Sequence, residues 1–450
     1  MTVDLRKFFQ ATNPSRTLVV ENPEDQKYYI DFSSVRGGRI IEELKDSITF
    51  FSPDEPTCSL FTGHIGCGKS TELLRLKVEL EEAGFHVVYF ESSEDLEMAD
   101  VDIGDVLLAI ARRISQSLDK IPIAKPTELK NLLQGAAKVL NADVQGIKMK
   151  VPGVGDVGVN SQGETFSLAF GIGEITAKAK NDATLRQKLN QYLGPQKTHL
   201  LEAINKELIE PAIASLKKHG KNGLVAIVDN LDRVDNQAKP WGRPQQEYLF
   251  VDQGECLTKL HCHVVYTMPL ALKFSNDYGM LTQRFPERPK VLPMVPVQLK
   301  DGSDCEAGIT LLQQMVLARA FPDLDPDERL NKITEIFDNS ETLNRLCYVS
   351  GGHVRDLLKL LNDWIKKERE LPLRRETLER LIREYRSDIT LRISDLEWEL
   401  LRQVQQRKWV SDNEGYEALI RSRLVFEYHQ DEETWFDINP ILADAQQLQP

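Results

Sequence analysis

The residues Gly63-His-Ile-Gly-Cys-Gly-Lys-Ser70, followed by Thr71, have the types and spacing that hold phosphate. In the loop Gly63, His64, Ile65, Gly66, Cys67 and Gly68, glycine lets successive backbone N–H groups turn inward around anionic oxygens. Lys69 opens a helix, whose positive end adds to the field on an anion. Its ammonium reaches terminal phosphates, the Ser70 hydroxyl suits magnesium, and Thr71 completes the first turn. Cys67 reads as a small spacer. A second acidic element, Leu224-Val-Ala-Ile-Val-Asp229-Asn230-Leu-Asp232-Arg233, delivers a carboxylate from the C-terminal end of a continuous apolar run. That is where ligands of open α/β sheets sit, so Asp229 is expected to hold magnesium through water. Together the two elements point to nucleotide binding.

These groups need a sheet and helices to position them. Thr57–Thr62, His86-Val-Val-Tyr-Phe90, Leu224–Val228 and His263-Val-Val-Tyr-Thr267 are short apolar runs. Alternating with helical patterns, they predict a parallel sheet covered on both faces. Lys290–Val297 predicts an edge strand, bent by its prolines. Residues 1–56 read as an entry segment and 57–298 as the core, with an inserted segment at about 121–222. Within the insertion, 146–176 carries seven glycines and alternating apolar residues (Ile147–Val151, then Phe166–Phe170) and predicts a hairpin, with a flexible loop as the alternative. A long helix over about 196–219 is expected to kink at Pro211. Residues 299–390 read as a helical lid. Residues 391–450 read as a winged helix: a helix, the short helix Glu414–Arg421, and the strand pair Leu424–Tyr428 and Thr434–Ile438.

The 450 residues are 41% hydrophobic and 28% charged, ordinary for a folded soluble chain. No run of about 18 apolar residues is present, which predicts no membrane span. Nor does the N-terminal stretch read as a signal peptide. Six scattered cysteines form no CxxC pair, so neither a disulfide framework nor a zinc site is expected, and a cytoplasmic location is. His261-Cys262-His263 lacks a third ligand nearby in sequence and reads as a strand edge. The net charge of −13 provides no global basic field for nucleic acid. Residues 391–450 carry six basic and twelve acidic side chains, and the expected wing turn is Asp431-Glu432-Glu433. Duplex phosphates would be repelled there, so DNA is the disfavoured partner.

In its motif order the chain resembles the AAA+ and STAND group of P-loop ATPases, in particular initiator-like members with a C-terminal winged helix. The resemblance implies an α/β P-loop fold with a helical lid and a winged-helix domain, and ATP with Mg2+ as ligands. It casts Thr267 as a sensor of the attacking water and Arg284, in Thr282-Gln-Arg-Phe-Pro, as an arginine finger, with Arg288 the alternative. Arg355, in Ser350-Gly-Gly-His-Val-Arg355, resembles the second sensor, and Arg36, in Val35-Arg-Gly37, resembles the adenine-pocket motif. The pattern departs where most members carry the glutamate base beside the magnesium acid: here Asn230 stands, and Asp232 is the expected substitute. Slow hydrolysis and an ATP-dependent switch follow, with self-association and an unidentified protein partner. The alternatives are a DNA-associated ATPase (an initiator, loader or transposition regulator) and a nucleotide-bound scaffold with negligible hydrolysis.

Overall fold

The computed structural model describes residues 3–118, 126–141, 162–411, 414–431 and 433–449. Five parallel strands form the central sheet: β1 (Cys58–Thr62), β2 (His86–Glu91), β3 (Leu224–Asp229), β4 (His263–Met268) and the short β5 (Lys290–Val291). Their order is β2-β3-β4-β1-β5. β1 therefore feeds a crossover that passes β4 and β3 to reach β2, and later chain fills the gap. β1 and β3 are buried throughout, as apolar runs covered on both faces must be.

The period-two alternation splits each strand between two cores. Phe61, Val87, Val225, Ile227 and Val265 face α1 (Lys69–Glu82) through Leu73, Leu76 and Leu80. Leu60, Val88, Phe90, Ala226, Val228 and Tyr266 face the other way, onto α2 (Ile103–Ser117). Asp102 and Asp105 form a capping box that starts α2. Glu91 and Asp229 continue the α1-facing parity, so both carboxylates end their strands on the phosphate side of the sheet.

The inserted segment departs from the expected hairpin. Its described part is helical: α3 (Thr127–Asn141), α4 (Gln162–Asn181) and α5 (Ala183–Leu193). Phe166–Phe170 lies within α4. There Leu168, Ile172, Ile175 and Ala179 are buried at helical spacing, while Phe170 falls off the stripe and is 56% exposed. The four-three-four spacing of the buried residues outweighs the short alternation. The other half of the expected hairpin, 147–151, lies outside the described residues. α3, α4 and α5 share one core with α2, so the insertion thickens that face. The long helix occupies the expected stretch, with its irregularity just before Pro211. α6 (Lys197–Ile204) widens into a π-turn at Asn205–Ile209 and resumes as α7 (Glu210–Lys218). Pro211 supplies no N–H, and the ladder widens just before it.

The lid comprises α8 (Glu306–Ala320), α9 (Ser340–Ser350), α10 (Val354–Glu368) and α11 (Arg375–Thr390). Leu357, Leu358 and Leu361 of α10 are buried and Val354 is half-buried. An N-terminal helix, Leu5–Ala11, packs Phe8 into the lid core. Asn362 Nδ2 donates to Phe9 O at 3.2 Å and to Thr12 Oγ1 at 3.0 Å.

After α11 come α12 (Asp395–Arg407), α13 (Glu414–Arg421) and the antiparallel pair β6 (Val425–Gln430) and β7 (Glu433–Ile438), a winged-helix arrangement. Its hairpin is buried on both faces. Phe426, Tyr428 and Trp435 join the core over α1, whereas Val425, Phe436 and Ile438 join the lid core. The hairpin is thus a wedge between sheet and lid. No described helix is long and apolar enough to cross a membrane.

Candidate functional site

The loop after β1 turns at Gly66 and Gly68, whose φ values are 99° and 109°, backbone that favours glycine. A Cβ on Gly68 would meet no neighbour, so that face of the loop is open, whereas one on Gly66 would strike His353. Cys67 is buried with Sγ toward Leu292 O, consistent with a spacer. The cleft over the loop measures about 870 Å³, counting space open to solvent. It brings together Ile65 through Thr71 with Asp229, Asn230, Asp232, Arg36 and Arg355.

Lys69 is 6% exposed and surrounded by acceptors. Its Nζ donates to Gly63 O at 2.7 Å and His64 O at 3.0 Å, and pairs with Asp232 Oδ2 at 3.0 Å. Burial alone would lower the ammonium's pKa, but Asp232 and, less strongly, Asp229 hold it above its ordinary value. Asp229 is buried, accepting from Tyr89 Oη at 2.7 Å and from the Asn230 N–H at 2.6 Å. Asp232 Oδ1 is buried without a partner. The Asp229 carboxylate, the Ser70 hydroxyl and the glycine-rich loop line one cleft, a donor set that would fit a polyphosphate with a magnesium ion held by Ser70 and Asp229.

Several expected residues take other positions. Thr267 is fully buried, and its Oγ1 accepts from Leu231 N at 2.9 Å and faces Val228 O at 3.4 Å. The hydroxyl is spent on fixing the turn after β3, and the threonine does not line the cleft. Asp232, expected as the base, is ion-paired with Lys69 at 3.0 Å. Arg36 lies 5.1 Å over the Phe32 ring and donates from Nη2 to Cys67 O at 2.9 Å. It buttresses the loop from behind while also lining the cleft. Arg284 and Arg288 are exposed and outside the cleft. Arg355 does reach it: its backbone N–H donates to Gly66 O at 3.2 Å. Burial and the nearby Arg233 and Arg423 lower its pKa. His263 bonds Thr57 at 3.0 Å and His261 pairs with Glu210, and no metal-binding cluster occurs among the described residues.

Sequence reasoning missed three features. Glu91 accepts from Asn230 Nδ2 at 2.7 Å; reading β2 only as far as the apolar Phe90 stopped one residue short of it. Arg319, on α8, is 6% exposed and lines the cleft with no carboxylate partner among the described residues. Its Nη1 donates to Met315 O at 2.6 Å, its Nε is unpartnered, and burial lowers its pKa to about 10. Tyr28 lies between Arg319 and Arg16, at 5.9 and 5.7 Å from its ring centroid. Nothing in the amphipathic pattern of α8 separates Arg319 from a surface arginine.

The third feature is the wing. His353 Nδ1 accepts from Asp356 N at 3.0 Å, which leaves its Nε2–H to donate to Ile65 O at 2.9 Å. His64 Nε2 accepts from Glu427 N at 3.2 Å. Phe426 stacks on His353, with ring centroids 5.8 Å apart, and meets His64 edge-on at 5.5 Å. Glu427 O accepts from Met294 N at 3.0 Å, its carboxylate pairs with Lys273 at 2.6 Å, and Tyr428 Oη donates to Gly351 O at 2.8 Å. Burial would raise the Glu427 pKa, but Lys273 and His429 bring it down to about 2. Arg423 pairs with Asp356 at 3.2 Å, and Arg421 pairs with Glu417.

Fold and loop together define an α/β P-loop protein with a helical lid and a C-terminal winged helix. No protein-family model matches the sequence, and no curated protein matches it. Similar solved structures include the Aeropyrum pernix ORC2 protein in ADPNP–ADP complexes, 12% identical, covering 91% of each chain, with a TM-score of 0.39. A Walker-type ATPase of Pyrococcus abyssi is 11% identical over 96% of this chain and 98% of that one, with a TM-score of 0.38. Cdc6p from Pyrobaculum aerophilum is 11% identical over 98% and 96%, with a TM-score of 0.35. Likeness at this level carries no functional weight, and the chain's own geometry has to supply the function.

Proposed function

We propose that the chain is an ATP-binding, slowly hydrolysing AAA+/STAND-like switch, in which occupancy of the phosphate loop sets the position of the winged helix. One observation carries this: His64 is bonded on both sides. Its carbonyl accepts from Lys69, and its imidazole accepts from the wing at Glu427. When Lys69 turns its N–H donors to phosphate oxygens, the His64 carbonyl loses a partner at the residue that holds the wing. Backbone amides of the loop bind the phosphates, Ser70 and Asp229 hold magnesium, and Arg355 and Arg233 lie where further charge can be met. Magnesium would supply neutralisation of that charge. The Arg319 guanidinium offers donors to the far part of the nucleotide. Partner contacts through the exposed tip of the wing at Asp431, Glu433 and Thr434, and self-association with Arg284 acting on a neighbour, complete the proposal. Arg423 and Arg421, the basic residues best placed to grip DNA, are engaged within the chain, so the DNA-associated alternative gains no support.

The test joins binding to the wing. ATP with magnesium at about 100 times the dissociation constant should stabilise the fold by about 2.7 kcal/mol, and Lys69→Ala should remove most of the shift. Amide exchange at Glu427 should accelerate on ATP binding. An unchanged thermal shift in Lys69→Ala would overturn the site, and an unchanged Glu427 amide would overturn the switch.

A further inference from the structure

The carboxylates of Asp229 and Asp232 line the cleft, and a third, Glu91, stands behind them, joined to the cleft through Asn230, which does line it. Asp229 accepts two internal hydrogen bonds and is the residue placed for magnesium. Asp232 is paired with the Lys69 ammonium at 3.0 Å. Glu91 has no cation partner among the described residues. It is half-buried and is the register partner of Asp229 across the β2–β3 pair. Neighbouring strands lie about 4.8 Å apart, so its backbone is one strand away from the magnesium acid, on the same face. Among the described residues, the direct polar contact of its carboxylate is the 2.7 Å bond from Asn230 Nδ2.

The backbone explains why the pair is arranged this way round. Asn230 has φ 61°, left-handed backbone, which asparagine tolerates and glutamate does not favour. The tight turn is held by Thr267 through Leu231 N. A long acidic side chain is therefore costly directly after Asp229, whereas the extended backbone at the end of β2 takes glutamate without strain. Asn230 is 3% exposed, so its amide has few other partners and fixes the carboxylate.

We propose that Glu91 is the general base of the hydrolysis reaction, with Asn230 as its positioning residue. This rests on the nucleotide-hydrolysing reading above. The water oxygen forms the new bond to the γ-phosphorus while its proton passes to the Glu91 carboxylate. The bond from that phosphorus to the bridging oxygen breaks, its electron pair leaves with ADP, and inorganic phosphate is the second product.

The test compares Glu91→Gln, Asp232→Asn and wild type in single-turnover phosphate release, with the bound nucleotide identified by mass. Glutamine still accepts a hydrogen bond from Asn230, so a purely structural role predicts wild-type behaviour for Glu91→Gln. The proposal instead predicts a loss of about 100-fold or more in the chemical step. ATP-induced thermal shift and apo melting temperature should stay unchanged, with intact ATP retained where wild type holds ADP. Glu91→Asp should recover part of the rate and keep the acid limb of its pH profile, which Glu91→Gln should lose. Release from Glu91→Gln at the wild-type rate would overturn the proposal, as would hydrolysis lost only in Asp232→Asn. A wild type that binds ATP without cleaving it would overturn it too. A wild type that shows no ATP-induced shift would instead remove the nucleotide reading itself.

Discussion

Truncating Phe426 tests the wedge directly. The ring is fully buried and belongs to the core over α1. It is stacked on His353, set edge-on to His64 and packed against Gly351, where an added Cβ would come within 2.9 Å of it. Phe426→Ala is expected to cost about 3–5 kcal/mol, a large share of the roughly 5–15 kcal/mol that holds a domain together. The ring bridges the join between wing and phosphate loop. The cost of removing it therefore falls on docking, and the undocked population should rise by about two to three and a half powers of ten. Hydrogen exchange reads this residue by residue. The amides of Glu427 and Met294, which bond to His64 and to the Glu427 carbonyl, should exchange on the order of 100-fold faster. Amides of β3, buried in the sheet, should keep their protection, and Phe426→Leu should fall between. Unchanged exchange at Glu427 and Met294 would refute the wedge as the coupling element. An equal acceleration in β3 would show instead that wing and sheet open as one unit.

Arg319→Met should weaken ATP binding by tenfold or more in calorimetry while leaving the apo melting temperature the same or higher, because an apolar replacement removes a buried unpaired cation; unchanged affinity would exclude Arg319 from the nucleotide. Acid should loosen the protein near the loop. Burial, then His353, depress the His64 pKa to about 3, and its Nε2 is already an acceptor. An unfolded chain takes up that proton below about 6.5 while the folded one does not, so the contribution is complete above pH 6.5 and erodes down to about 3. The slope from this one group is at most about 1.4 kcal/mol per pH unit. His64→Gln should therefore flatten the fall in melting temperature between pH 7 and 5; an identical fall would place the sensitivity elsewhere. Mixing Lys69→Ala with Arg284→Ala subunits should restore ATPase activity that each lacks alone, since a mixed interface holds one intact loop and one intact guanidinium; no recovery would count against a shared site.

The local chemistry was legible where it depends on spacing along the chain. The phosphate loop, the strand ending at Asp229, the lid helix carrying Arg355 and the terminal helix–hairpin unit all follow from patterns a few residues long. What escaped depends on pairing between distant segments. Glu91 acquires a role only when β2 lies beside β3, and Lys69 meets Asp232 only in the folded sheet. Thr267 looked like a group for water because it ends a strand, yet its hydroxyl is taken by the turn at Leu231. In the insertion, five alternating residues competed with a longer helical stripe, and burial of Ile172 and Ile175 decided for the helix.

The docked hairpin and the N-terminal helix also bear on how the chain is made. Phe8 lies in a core built largely from residues after 290, and His64 bonds Glu427, 363 positions downstream. A ribosome adding about 5–20 residues per second needs roughly 20–70 s to bridge such an interval. Throughout that time the phosphate loop and the first helix are without the lid and wing that later cover them. The nascent chain must therefore carry an uncovered apolar face until residues 391–450 emerge. Stalling or truncation in that stretch should release a product prone to capture by chaperones.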